Sequence, residues 1–184
     1  RDLHSFPTRR SSDLINRVDD FAMTPQGNIA HAATTFMAQN KGAGKVRRMK
    51  QGFLSSILLQ TIYTLAVALA VFFLAEPIMK LFVSDSSEKV ISLGVSYLHL
   101  IAFMYFMSAT TNTIQGFFRG LGDLKVTLIS TVINFSVRFL SVWIMIHVLG
   151  GGFACLAWSN CLGWIAMLAL QIPMILVRWR KEKI

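Results

Sequence analysis

The side chains with the most chemical potential in this sequence stand inside long apolar runs. Arg138 is the sharpest of them. It follows Val126 by roughly 18 Å of apolar helix, at a rise of about 1.5 Å per residue. A cation that deep in a membrane costs at least ~2.5 kcal/mol unless a partner or water accompanies it. Arg138 therefore reads either as a cavity-lining cation or as one arm of a structural ion pair or carbonyl clamp. Polar residues recur around it every three or four positions, at Thr127, Ser130, Thr131, Asn134 and Ser141. A second series is Thr24, Asn28, His31, Thr35 and Gln39, and a third is Ser108, Asn112, Gln115 and Arg119. This spacing puts each series on one face of a helix. An unpaired polar group against lipid costs several kcal/mol, so each face must bond a neighbouring helix or line a water-filled path. For a single Ser or Thr the first reading is the ordinary one; three such faces in one chain favour the path. Its candidate wall is Asn28, His31, Thr35, Asn112, Gln115, Asn134 and Arg138.

The remaining reactive groups narrow the chemistry. The apolar runs contain no Asp or Glu, which leaves His31, His99 and His147 as their titratable groups. These lie in different runs without a metal-ligand pattern, so neither a metal nor a cofactor is expected. Cys155 and Cys161 suit neither a zinc knuckle nor a disulfide and are expected to pack as small apolar residues. G-x-S-x-G, Walker, H-E-x-x-H and paired-aspartate signatures do not occur, so the chain reads as a non-enzyme. With no means of hydrolysing ATP, any transport would draw on an ion gradient.

Positioning these residues is the task of the apolar runs. Of 184 residues 54% are hydrophobic and only 15% charged, a balance that a water-soluble core does not explain. The charges crowd into short clusters, and the stretches 51–75, 90–118 and 139–177 have no Lys, Arg, Asp or Glu. Spanning helices need about 20 apolar residues. Cutting at charges and turn signals gives five spans, at about 21–40, 52–75, 90–118, 126–148 and 153–177. Continuous apolarity excludes barrel strands, which alternate over segments of about 10 residues. The fold class is all-α, a polytopic membrane helical bundle. A net charge of +9 would suit a nucleic-acid binder only if it formed a patch on a polar domain, whereas here the cations sit between spans. The connections 41–50, 119–125 and 178–184 carry five, two and four Lys or Arg, against Lys80 and Lys89 on the other side. Basic loops stay cytoplasmic, so the C-terminus is expected inside.

Residues 1–14 (RDLHSFPTRRSSDL) resemble a high-throughput sequencing adaptor translated in frame, and fit neither signal-peptide nor transit-peptide logic. They are set aside as non-native, and the natural sequence is expected to begin within a gene at about Ile15.

Two turn motifs carry a family resemblance. FMAQNKGAGK (36–45) follows the first span and QGFFRGLGD (115–123) ends the third. Together they resemble the multidrug and toxic compound extrusion (MATE) family, whose six-helix lobes have a Q-N-x-G-A-G-like turn after the second helix and an R-G-x-G-D-like turn after the fourth. GGGFACLA (150–157) is similar to the start of a lobe's sixth helix, and INRVDDFAMTP (15–25) to the start of the second lobe's second helix. The resemblance implies that residues 15–178 are five helices of a C-terminal lobe, eight to twelve of twelve, with 179–184 as a basic cytoplasmic tail. Gln39, Asn40, Gly42, Gly44, Arg119, Gly120, Gly122 and Asp123 would then shape turns without touching substrate. Asp123 could cap the fourth helix or pair with Arg119 or Lys125, and Gly116 with Gly120 offers a close helix contact. Lys45, Arg47, Arg48 and Lys50 would meet anionic headgroups.

Membership further implies a proton- or sodium-coupled antiporter that exports organic compounds by rocking two lobes about a central cavity. Its expected location is the bacterial cell membrane. Its partners would be membrane lipid, small organic substrates and the N-terminal lobe of the same chain, with no nucleic acid. Some family members use carboxylates in this lobe, and the spans here have none, so the coupling ion, H+ or Na+, is expected in the helices not present. Two other readings are a lipid-linked sugar flippase of the same superfamily, in which Arg138 would meet a pyrophosphate, and a structural or receptor-like membrane protein without a path.

Overall fold

The computed structural model describes residues 6–82, 88–147 and 154–181. These form five helices: α1 (Phe6–Gly42), α2 (Val46–Phe82), α3 (Glu88–Gly120), α4 (Leu124–His147) and α5 (Ala154–Lys181). No strand occurs among the described residues, and the all-α reading holds. Gly150, Gly151 and Gly152, where the last two spans were divided, lie outside the described residues, as do 1–5, 83–87 and 182–184.

The helices outrun the apolar spans. Charges end a membrane span but not a helix, and a helix continues until a breaker or a turn stops it. The difference is largest in α1, which starts at Phe6 rather than near residue 21 and takes in most of the segment set aside as foreign. Pro7 sits in its first turn, where a missing N–H costs nothing. Among the described residues α2, α4 and α5 are long and apolar enough to cross a membrane on their own, over Val46–Lys80, Leu124–His147 and Ala157–Arg180. α1 matches α2 in length but is interrupted by polar side chains. α3 is the centre of the bundle and touches α1, α2, α4 and α5, while its Phe103 and Phe106 stay exposed.

α1, α2 and α3 pack on one another, and α4 and α5 form a hairpin that leans on α3. α1 is not a helix neighbour of α4 or α5. Crossing of α1 and α3 is close because Gly116 and Gly120 present no side chain. A Cβ on Gly116 would lie 2.5 Å from the Ala30 carbonyl oxygen, and one on Gly120 2.6 Å from that of Thr34. The outer faces of α2 and α4 expose Leu58, Ile62, Phe73, Leu128, Phe135 and Phe139, as lipid-facing surfaces do.

Both motif turns have one geometry. Lys45 N–H donates to Asn40 O (2.9 Å) and Gly44 N–H to Lys41 O (3.0 Å). At the second turn Asp123 N–H donates to Phe118 O (2.9 Å) and Gly122 N–H to Arg119 O (3.0 Å). These are Schellman caps, which place the glycine at a positive φ, here 67° for Gly44 and 78° for Gly122. In the second motif the two glycines thus do different work. The second turns the chain, whereas Gly120 serves the crossing with α1.

Candidate functional site: the polar faces of the bundle

On α1 the expected stripe is a continuous exposed face. Thr24, Asn28, His31, Thr35 and Gln39 are all exposed, although the opposite face of the same helix buries Ala22, Ala30, Ala33 and Met37 in the bundle. Thr35 Oγ1 donates back to its own helix at His31 O (3.3 Å). On α3 the stripe turns inward: Ser108 and Gln115 are buried and Asn112 is half-buried. On α4 the buried positions are Val126, Ser130 and Asn134, one turn apart, with half-buried Arg138 continuing the same row toward α5. Asn134 and Arg138 meet at Gly163 of α5, where a Cβ would lie 2.6 Å from Arg138 Cγ and 3.0 Å from Asn134 Nδ2.

The seven candidates are therefore not one wall. Asn28, His31 and Thr35 share a face of α1, and Asn134 with Arg138 share the α4–α5 seam. Asn112 and Gln115 stand between them on the central helix. Arg138 has no carboxylate within ion-pair reach among the described residues, where the ion pairs are Lys80–Glu76 and Arg178–Asp123. Of the histidines, His99 bonds Phe72 O (3.0 Å) and stacks on the Phe72 ring, while His147 bonds Trp143 O (3.0 Å). His31 is the one that stands on an exposed polar face. Cys161 is buried against Met107 sulfur at 4.0 Å, and Cys155 is half-buried.

The motif end of the bundle is cross-tied. Lys41 Nζ donates to Leu121 O (2.7 Å), joining the two turns. Asp123 does not pair with Arg119 or Lys125: its carboxylate accepts from Arg178 of α5 at 2.8 Å. Trp179 packs edge-on to Phe53, with Lys50 Nζ 5.7 Å from the centre of its ring. Burial lowers the Arg119 pKa.

Sequence reasoning passed over Gln26, Gln60, Thr64 and Gln171, all almost fully buried, with side-chain polar atoms that have no partner. Gln60 and Thr64 had a signal, since they follow Ser56 at intervals of four along α2, whereas Gln26 and Gln171 fall off the striped faces.

Five packed helices, three of them membrane-spanning by composition, with apolar outer faces and polar seams, define a helical integral membrane protein. The MatE family model matches residues 12–144, most of the sequence, and the chain belongs to that family. Among curated proteins it is 26% identical over 130 residues to "Probable multidrug resistance protein NorM" of Thermotoga maritima, covering 68% of this chain and 25% of that protein. A protein of the same name from Bacillus licheniformis is 26% identical over 155 residues, covering 81% of this chain and 34% of the relative. The chain thus spans between a quarter and about a third of these relatives. Among solved structures, an inward-facing multidrug resistance MATE family transporter of the MOP superfamily matches with TM-score 0.82 and 18% identity over 92% of this chain. An outward-facing one matches with TM-score 0.84 and 17% identity over 95%. The chain covers 39% of each.

Proposed function

We propose that the complete protein is a proton- or sodium-coupled antiporter that exports organic, drug-like compounds by alternating access, and that this chain supplies most of one lobe. The observation that carries the reading is the α1 face of Thr24, Asn28, His31 and Thr35. It is polar, it is exposed, and it belongs to a helix whose other face is buried in a membrane bundle. Lipid is an unfavourable neighbour for such a face, and the five described helices leave it uncovered. Water in a path, or a second lobe across that path, satisfies it. The names of the curated relatives support drug efflux. Similar overlays on an inward-facing and an outward-facing structure suit a lobe that moves as one body.

The spans contain no Asp or Glu, so the ligands of the coupling ion belong elsewhere in the complete protein. Positive connections at 41–50 and 119–125 and the basic C-terminal tail support a cytoplasmic side for these segments, in a bacterial cell membrane. In reconstituted vesicles, an imposed proton or sodium gradient should drive efflux of a cationic dye. Replacing Asn28, His31 and Thr35 together by Leu, Leu and Val should abolish that efflux without loss of the folded protein. Translocation of a lipid-linked sugar with no dye movement would instead establish the flippase, and unchanged efflux in the triple variant would remove α1 from the path.

A further inference from the structure

A groove of about 510 Å³ runs between α1 and α2 on the turn side of the bundle, lined by Ile29, Ala32, Phe36, Gly52, Ser55 and Leu59, with Arg48 and Gln51 at its mouth. Its volume lies within the range of about 300–1,000 Å³ of ordinary ligand pockets. The Phe36 ring lies over Gly52, where any side chain would strike it, and so forms one wall. Charge is arranged along its length in one sense. Arg48 is the charged residue of its lining, and no Asp or Glu occurs anywhere in residues 21–75. The mouth is also the N-terminal turn of α2, which carries no acidic residue. The helix dipole adds positive potential there. Away from the mouth the walls become aliphatic, and exposed Leu58, Leu59 and Ile62 continue along α2.

We propose that this groove is a specific site for an anionic phospholipid, with the phosphate on the Arg48 guanidinium and one acyl chain laid between α1 and α2. An organic cation, the usual cargo of the family resemblance, is repelled by the mouth. A zwitterionic lipid meets only the groove. The site differs from diffuse headgroup attraction because it requires both a cavity of fixed shape and one cation at its lip. It rests on the cytoplasmic placement of the 41–50 turn and not on transport.

The test uses the complete protein in lipid nanodiscs, with a phosphatidylglycerol bearing a photoactivatable diazirine in its acyl chain. Adducts should map to residues 29–36 and 51–59, be competed by unlabelled phosphatidylglycerol, and not be competed by phosphatidylcholine. Arg48→Gln should weaken competition about fivefold, the effect of one cation near an anionic surface, and Arg48→Lys should restore most of it. Ser55→Trp fills the groove without altering charge and should remove the adducts. Equal labelling by a phosphatidylcholine analogue would mean ordinary boundary lipid and overturn the proposal. A wild-type groove that takes no adduct would show that another segment of the protein covers it, and also overturn it. Dye efflux is read separately, so failure of the antiporter reading leaves this result intact.

Discussion

At Gly44 and Gly122 the sequence motif and the backbone agree for one reason: a left-handed residue closes each helix, and only glycine adopts it without cost. Neither position has an atom within 4 Å of where a Cβ would stand, so the conformation alone sets the penalty. Gly122→Ala should therefore destabilise the complete protein by about 1 kcal/mol, read as a lowered midpoint of thermal unfolding in detergent. Asp123 is the contrasting case. Its charge was legible, but its partner Arg178 lies 55 positions away, and no local pattern announces it. The side chains of this pair are 31% and 25% exposed. Solvent screening limits such a pair to roughly 1 kcal/mol. A double-mutant cycle of Asp123→Asn and Arg178→Gln should give a coupling of that order. A coupling near zero would mean that the motif aspartate acts through its turn and not through α5.

Element existence was readable because apolar runs and glycine turns are local, whereas element ends and neighbours are not. The five helices lie where the runs lie, yet each passes its charged boundary, since a Lys or Arg at the membrane surface is a good helix former. Which polar face looks where depends on partners. The stripes of α3 and α4 turn inward because α3 is central and α4 has α5 to lie on, while that of α1 is left exposed. Crossing of α1 and α3 permits a test in two directions. Gly116→Ala puts a Cβ 2.5 Å from the Ala30 carbonyl oxygen, a backbone atom that cannot swing away. It should cost about 1–3 kcal/mol as the helices part. Gly27→Ala, in α1 with nothing within 4 Å of the new atom, should instead stabilise by about 0.5–1 kcal/mol through helix propensity. Unfolding midpoints that fall together would show that α1 does not tolerate added bulk on either side, against a crossing set by α3 alone.

For the whole molecule, the proposed alternating access demands that something stays rigid while something moves. The ties at the motif end join α1 to the α3–α4 turn through Lys41 and that turn to α5 through Asp123 and Arg178. Phe53 and Lys50 of α2 meet Trp179 of α5 at the same end. The two contacts of Trp179, with Phe53 and with Lys50, bridge the α1–α2–α3 unit and the α4–α5 hairpin, a division at which this bundle could flex. If the lobe moves as one body, a covalent tie across that division should be harmless. In a background with Cys155 and Cys161 replaced by Ala, Lys50→Cys combined with Trp179→Cys and bridged by a short bifunctional thiol reagent should export dye at the rate of the unbridged variant. Mass spectrometry would verify the bridge. Loss of efflux on bridging, recovered when the bridge is reversed, would mean that the hairpin slides on α3 during transport. Motion would then lie inside the lobe, and the similar overlays on inward- and outward-facing structures would reflect shared topology rather than a rigid body.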